Sequence, residues 1–210
     1  MSNKFVIGGG WSVAQWADKM DDLVSYGHVI GVNDAAIHTN VHEAITMDRL
    51  WFEHRWPTLR DSRVQRTWVR EKCDCNVPRK TERDNWRTFV HFSKTMPSET
   101  EGELHGGNSG TCAINLAFLQ MMSGDNLFLF GFDMCKGPNR EPYWYPPYPW
   151  AHPEGATKVG HFNSWVKDML GFAQYARRKE FNVYNVTTRS RIPYFPKLTF
   201  DQMEGMLHGA

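Results

Sequence analysis

A short apolar run that ends in three glycines restricts the fold of this chain most strongly. The stretch reads "KFVIGGGWSVAQWADKM" over residues 4–20. The run at 4–7 predicts a strand, and the glycines predict a tight turn because glycine adopts conformations closed to other residues. Ser12 then precedes an amphipathic pattern, as residues that cap helices do. The chain therefore opens with a strand, a turn and a helix.

The same alternation of strands and helices continues along the chain. Further strands are predicted at 28–33, 43–48, 126–133 and 182–186, and further helices at 108–122 and 163–181. The run "NLFLF" at 126–130 is apolar throughout, which is typical of a strand buried in a parallel sheet. The pattern predicts an α/β fold of Rossmann type, with a doubly wound, mostly parallel sheet between helices.

The whole chain, residues 1–210, is predicted to be a single α/β nucleotide-binding domain. Residues 55–105 are polar and poorly periodic, so we expect a variable insert or loop-rich lid there. A chain of 210 residues can bury a core without disulfides. Its four cysteines include no C-x-x-C pair and are expected to be reduced thiols.

Charge and hydropathy exclude some classes of partner. The formal net charge is +1, which gives no overall attraction to nucleic acid or to an anionic membrane. No apolar run approaches the roughly 20 residues of a membrane-spanning helix. The first strand begins at once, without the pattern of a signal peptide, so a cytoplasmic location is expected.

Residues that follow the strands form the candidate binding site, because parallel sheets bind ligands beyond the carboxyl ends of their strands. These residues are glycines, amides, hydroxyls and carboxylates: Gly8, Gly9, Gly10, Ser12, Asn33, Asp34, Asp48, Asn108, Ser109, Gly110 and Asp133. We expect them to collect at one edge of the sheet. Glycine turns followed by helix starts predict a phosphate site, since helix N-termini attract anions.

Other interpretations of these residues remain open. Neither G-x-G-x-x-G nor the P-loop pattern occurs, so the glycines of 8–10 could serve only to make a tight turn. Asp48 and Asp133 are candidate ligands of Mg²⁺ or Mn²⁺, since carboxylate oxygens suit such cations. Equally, Asp48 could cap a helix and Asp133 could be a turn residue.

Aromatic and histidine residues complete the candidate site. The segment "YWYPPYPW" at 143–150 is rich in aromatic and proline residues, and its tyrosines Tyr143, Tyr145 and Tyr148 are candidates to line a pocket. His161 precedes a predicted helix near the sheet edge and is a candidate general base near neutral pH. It could also be an ordinary surface histidine.

An ordered set of motifs resembles a phage-encoded protein family. The motifs are "FVIGGGWSV", "VIGVNDA", "AITMDRLWF", "GGNSGTCAINLAF", "NLFLFGFDM", "VGHFNSW" and "NVYNVTTRS". That family is similar to bacterial sialyltransferases that use CMP-sialic acid, and to archaeal 6-hydroxymethylpterin diphosphokinase-like proteins. The resemblance implies that Gly8–Gly10, Asn33 and Asn108–Gly110 hold a nucleotide donor. It also implies that His161 is the general base and that tyrosines of 143–148 bind the leaving phosphate.

Three functions are compatible with these observations. The first is a transferase, most simply a glycosyltransferase, which moves a sugar from a nucleotide sugar to a hydroxyl acceptor. The acceptor would be a sugar, a modified DNA base or a small molecule, and the setting the cytoplasm of a phage-infected cell. The second is a Mg²⁺-dependent diphosphokinase-like enzyme that uses ATP. The third is a phage protein without catalytic activity that binds a nucleotide or a host protein, and an oligomer is compatible with each.

Overall fold

The computed structural model describes residues 1–71, 86–141, 143–146, 148, 150 and 159–209. Its strands are β1 Asn3–Ile7, β2 His28–Val32, β3 Glu43–Thr46, β4 Arg66–Arg70, β5 Trp86–Phe92, β6 Glu103–His105, β7 Asn126–Phe130 and β8 Asn182–Asn185. A 3₁₀ helix spans Trp11–Ser25. The α-helices are α1 Ala35–His38, α2 Arg49–Arg60, α3 Ser109–Leu119, α4 Val159–Arg178 and α5 Phe200–His208.

The eight strands of the described part form one parallel sheet in the order β6-β5-β4-β3-β2-β1-β7-β8. The sheet grows from β1 toward β6 in one direction and from β7 toward β8 in the other. This arrangement confirms the predicted α/β doubly wound fold. The order reverses between β1 and β7, and ligands of such sheets bind in the crevice at that point.

Helices cover both faces of the sheet, and neighbouring strand residues pack into two separate cores. In β1, Val6 packs on the face of α3 and α4, whereas Phe5 and Ile7 pack on the opposite face. The opposite face is covered by the 3₁₀ helix, α1, α2 and α5. Because side chains alternate along a strand and both faces are buried, the central strands are apolar throughout.

In its described part, the segment 55–105 adds strands to the sheet. It contains the end of α2 and the strands β4, β5 and β6. Strand β4 pairs with β3, and β5 and β6 follow it outward. The remaining residues of the segment, 72–85, lie outside the described residues. The sheet is therefore wider than the sequence indicated.

The described cysteines are free thiols, in agreement with the expected reduced state. Burial raises the pKa of Cys112 to about 12, so this core thiol stays protonated and unreactive. Cys73 and Cys75 lie outside the described residues. None of the described helices combines the length and apolar character needed to cross a membrane.

A partly buried polar cluster lies at the amino ends of β2 and β3, opposite the carboxyl edge. The rings of His28 and His42 stack with centroids 4.8 Å apart. The Nδ1 atom of His42 accepts a hydrogen bond of 3.1 Å from the N–H of Val29. Glu43 accepts hydrogen bonds from Trp68 and Gln120. Burial, followed by the nearby His28, lowers the pKa of His42, because a charged imidazole there would be poorly solvated.

Acidification should therefore destabilise the fold through His42. The folded chain binds fewer protons than the unfolded chain once the pH falls below the ordinary histidine value of 6.5, so stability is lost between that pH and the lowered pKa. We expect the free energy of unfolding, from urea titrations, to fall between pH 7.5 and 5.5. The variant His42→Asn keeps an acceptor for the Val29 N–H. Its free energy of unfolding should fall less than that of the wild type over the same pH range. His208→Asn is the control, because His208 is exposed. If the free energy of unfolding of His42→Asn falls with pH as steeply as that of the wild type, His42 is not the cause of the acid sensitivity.

Candidate functional site

A pocket of about 320 Å³ lies at the carboxyl edge of the sheet, between the ends of β1, β2, β3 and β7 and the start of α3. Most residues predicted from the sequence border it: Gly8, Gly9, Gly10, Asn33, Asp48, Asn108, Ser109, Gly110, Asp133, Tyr143 and Tyr145. They lie far apart in the chain, and the parallel topology brings them together. Ser12, Asp34, Tyr148 and His161 are not among the residues that border the pocket.

Aromatic and thioether side chains that the sequence analysis did not select form much of the wall. They are Met47, Phe132, Met134, Phe162 and Trp165. Phe162 and Trp165 belong to the first turns of α4, one helical turn apart. Their spacing is the signal that could have identified them, because residues three apart share a helix face. Together with the tyrosines they make a mainly apolar wall suited to a planar ring.

The three glycines join the turn after β1 to the end of β7. The N–H of Gly8 donates to the Phe130 carbonyl at 2.7 Å, and the N–H of Gly10 donates to the Gly131 carbonyl at 3.0 Å. A Cβ at Gly10 would collide with the Gly131 carbonyl and the Asp133 carboxylate, and one at Gly9 would approach the Tyr145 hydroxyl to 2.7 Å. Close approach of protein segments therefore explains these glycines without a bound phosphate.

Ser12 is not a helix cap, and its contacts are internal. The helix that begins at Trp11 is a 3₁₀ helix whose N-cap is Gly10, without a side-chain hydrogen bond. The Ser12 N–H donates to the Asp133 carboxylate at 2.9 Å, and its hydroxyl lies 3.1 Å from the Thr187 hydroxyl. A carboxylate from the end of β7 thus occupies the N–H that a phosphate was expected to use.

Asp34 is buried in an ion pair beneath the pocket. Its carboxylate accepts a hydrogen bond from the Trp51 indole at 2.7 Å and two from the Arg55 guanidinium at 2.9 and 2.7 Å. The side chain is 1% exposed, and α2 covers it. Both carboxylate oxygens are therefore paired within the protein and tie the end of β2 to α2, and a role of Asp34 in binding a donor stays a prediction.

Replacing Asp34 should destabilise the fold without altering the pocket. The variant Asp34→Asn leaves the partly buried Arg55 without its anion, and breaking a buried pair costs about 3–5 kcal/mol. We expect the free energy of unfolding from urea titration to fall by that amount. Asp18→Asn, an exposed change of the same kind, should have almost no effect. Equal stability of the two variants would contradict the role of the ion pair.

The start of α3 offers donors to the pocket. The Asn108 side chain caps the helix by accepting from the Thr111 N–H at 3.0 Å, and the Thr111 hydroxyl accepts from the Asn108 N–H at 3.1 Å. The Ser109 hydroxyl accepts from the Met47 N–H at 3.0 Å. The first N–H groups of a helix lack partners within it, so those of Ser109 and Gly110 remain for an anion.

Three buried polar atoms of the pocket residues have no hydrogen-bond partner in the described structure. They are Asn33 Oδ1, Asn108 Nδ2 and Asp133 Oδ1. Buried polar atoms are normally paired, since an unpaired one costs about 1–3 kcal/mol. Asn33 is also held at a φ of +52°, in the left-handed region that asparagine tolerates better than most residues. Buried atoms away from the pocket, such as Thr67 Oγ1 and Asn185 Oδ1, are unpaired as well, so it is the position of these three atoms at the pocket that favours a binding site.

The charged groups that border the pocket are carboxylates. Asp48 and Asp133 are present, whereas no lysine, arginine or histidine borders it within the described residues. Asp48 also caps α2 by accepting from the Trp51 N–H at 3.2 Å. No group of three or more potential metal ligands exists among the described residues. Binding of Mg²⁺ or Mn²⁺ by Asp48 and Asp133 therefore stays a prediction.

The tyrosines form a stack that closes one side of the pocket. Tyr143 and Tyr145 stack at 5.4 Å, and Tyr148 lies behind them, 6.0 Å from Tyr145. The Tyr145 and Tyr148 hydroxyls are 3.3 Å apart. Burial raises the pKa of both phenols, so they stay neutral and able to donate hydrogen bonds. Tyr148 supports Tyr145 instead of bordering the pocket itself.

His161 lies on the rim. It is an exposed residue in the first turn of α4, and its ring centroid is 6.0 Å from that of Trp165, which borders the pocket. The role of general base predicted from the sequence stays a prediction.

Comparison of the chain with protein-family models, curated proteins and solved structures found no match. The resemblance to the phage family and to sialyltransferases therefore also stays a prediction, and the site has to be interpreted from its own geometry.

Proposed function

We propose that the pocket binds a nucleotide-activated donor and that the protein is a transferase, most simply a glycosyltransferase with a hydroxyl acceptor. One observation carries this proposal. Glycine, amide, hydroxyl and carboxylate residues selected as donor-binding from the sequence border a single pocket at the reversal of the strand order. In parallel sheets this is where nucleotides bind.

Each part of such a donor has a matching group in the pocket. The rings of Phe132, Phe162 and Trp165 suit the flat face of a base. The unpaired amide atoms of Asn33 and Asn108 suit the polar edge of a base or the ribose hydroxyls. The N–H groups at the start of α3 and the neutral tyrosine hydroxyls would hold the phosphate and stabilise its charge as it leaves.

The charge of the pocket favours a donor with few phosphates over ATP. A triphosphate would place several negative charges beside Asp48 and Asp133, with no cationic side chain among the described pocket residues. Like charges in a poorly solvated site repel strongly. The Mg²⁺-dependent ATP enzyme and the binding protein without activity therefore become outcomes to be tested. The acceptor hydroxyl would enter from the rim, where His161 lies.

Nucleotide binding should raise the melting temperature. We expect a pyrimidine or purine nucleotide sugar, or its mononucleotide, to shift Tm by about 5–10 °C when present at about 100 times its Kd, which adds about 2.7 kcal/mol. The measurement is a thermal-shift screen of CMP, UMP, UDP, GDP, ADP, ATP and common nucleotide sugars, with and without Mg²⁺ or Mn²⁺. A response to ATP only with Mg²⁺ would favour the diphosphokinase-like function, and no response at all would contradict nucleotide binding.

A single atom exchange at Asn108 should weaken that binding. In Asn108→Asp an oxygen replaces the unpaired Nδ2, while the other oxygen still caps α3, and a carboxylate suits a helix N-terminus. We expect an unchanged Tm for the free protein and at least tenfold weaker binding of the nucleotide that responds in the screen, measured by calorimetry. Gln15→Glu, an exposed change that adds the same charge, should bind as the wild type does. If both variants bind the nucleotide with equal affinity, Asn108 does not contact it.

A further inference from the structure

The loop after β7 carries Asp133, one of the residues that border the pocket. Gly131 and Met134 bracket it with φ values of +69° and +56°, and a methionine in that region is strained. The Phe132 carbonyl accepts from the Ser190 hydroxyl at 2.6 Å. The Asp133 carbonyl accepts from the Arg191 N–H at 2.9 Å. Strained residues persist only where their surroundings fix them, and they concentrate at functional sites.

The carboxylate of Asp133 has one oxygen fixed and one unpaired. Its Oδ2 accepts from the Ser12 N–H at 2.9 Å, which orients the group. Its Oδ1 has no partner, although the side chain is 1% exposed and the residue borders the pocket. Asp34, the other carboxylate buried to this degree near the site, has both oxygens paired. No cation neutralises Asp133 in the same way among its described contacts.

We propose that Asp133, which borders the pocket, and not His161, which does not, is the general base of the transfer reaction and removes the proton from the acceptor hydroxyl. This inference rests on the proposed function. The acceptor O–H bond breaks, and its proton moves to Asp133 Oδ1. The acceptor oxygen forms a bond to the anomeric carbon of the donor sugar. The bond from that carbon to the phosphate oxygen breaks, and the nucleotide phosphate leaves with the electron pair. Water would react by the same steps, which gives hydrolysis of the donor.

The surroundings of Asp133 suit this role. Burial raises the pKa of its carboxyl, an effect only partly offset by the hydrogen bonds from Ser12. A carboxylate with a raised pKa is a better proton acceptor near neutral pH. A raised pKa also means that the protonated form of Asp133 stabilises the fold relative to the ionised form. This stability is lost as the pH rises through the raised pKa. A carboxylate whose pKa is lowered in the fold, for example by a cation, would have the opposite effect.

The test is the variant Asp133→Asn, whose amide oxygen can still accept from Ser12 but whose side chain cannot take a proton. Nucleotide release from UDP-glucose, UDP-N-acetylglucosamine, GDP-mannose and CMP-sialic acid is measured for wild type, for Asp133→Asn and for the exposed control Asp18→Asn. We expect at least a hundredfold loss of kcat in Asp133→Asn, unchanged donor affinity, and a Tm at pH 7 equal to or above that of wild type. The control should match the wild type.

The pH dependence provides the second measurement. The wild-type rate should fall as the pH drops through a pKa above the ordinary aspartate value of 3.8, and this limb should be absent from the residual rate of Asp133→Asn. If the wild type releases nucleotide and a folded Asp133→Asn releases it equally fast, the role of Asp133 is overturned while the proposed function stands. A lower Tm together with an unchanged pH profile would also overturn it, in favour of a structural role. No release from any donor by the wild type would overturn both the proposed function and the inference.

Discussion

The contact between the turn after β1 and the loop after β7 is the constraint on which the rest of the structure depends. Three N–H groups, those of Gly8, Gly10 and Ser12, donate to the end of β7 and to the Asp133 carboxylate. They join the two halves of the sheet where its order reverses. The turn has to be glycine-rich because any Cβ at Gly10 would collide with these acceptors. The same contact forms the floor of the pocket, so fold and site share one set of hydrogen bonds.

The central strands could be predicted from sequence because burial on both faces leaves a clear apolar signal. β7 is the plainest example, with four of its five residues buried. The strands toward β6 carry a weaker signal. In β4, arginines flank the buried Thr67, Trp68 and Val69, and in β5 the fully buried side chain is Phe89. Edge and near-edge strands meet solvent and polar neighbours, so their composition resembles that of a loop. For this reason 55–105 was expected to be an insert.

Topology alone allowed the residues at the carboxyl edge of the sheet to be predicted, but not the orientation of their side chains. Parallel strands place the residues that follow them at one edge, which brought most of the selected residues to one pocket. Topology does not determine which way a side chain turns. Asp34 immediately follows Asn33, yet Trp51 and Arg55 bind its carboxylate within the protein. These partners come from α2, and only the packing of that helix on β2 reveals them. The prediction that Ser12 caps a helix was wrong for the same reason, since its partners Asp133 and Thr187 are distant in sequence.

The contrast between the two buried carboxylates argues for activity more strongly than the shape of the pocket does. Burying a carboxylate costs less when a cation and further hydrogen bonds are supplied, as Arg55 and Trp51 do for Asp34. The described contacts of the Asp133 carboxylate come from Ser12 and include no cation, although Thr187, Ser190 and Asn185 lie close by in the same buried network. Those groups bind each other and the loop backbone. The unpaired Asp133 Oδ1 is a local cost to stability, and Asn185 Oδ1 in the neighbouring network is unpaired as well. Such a cost is expected where the missing partner is supplied by a substrate.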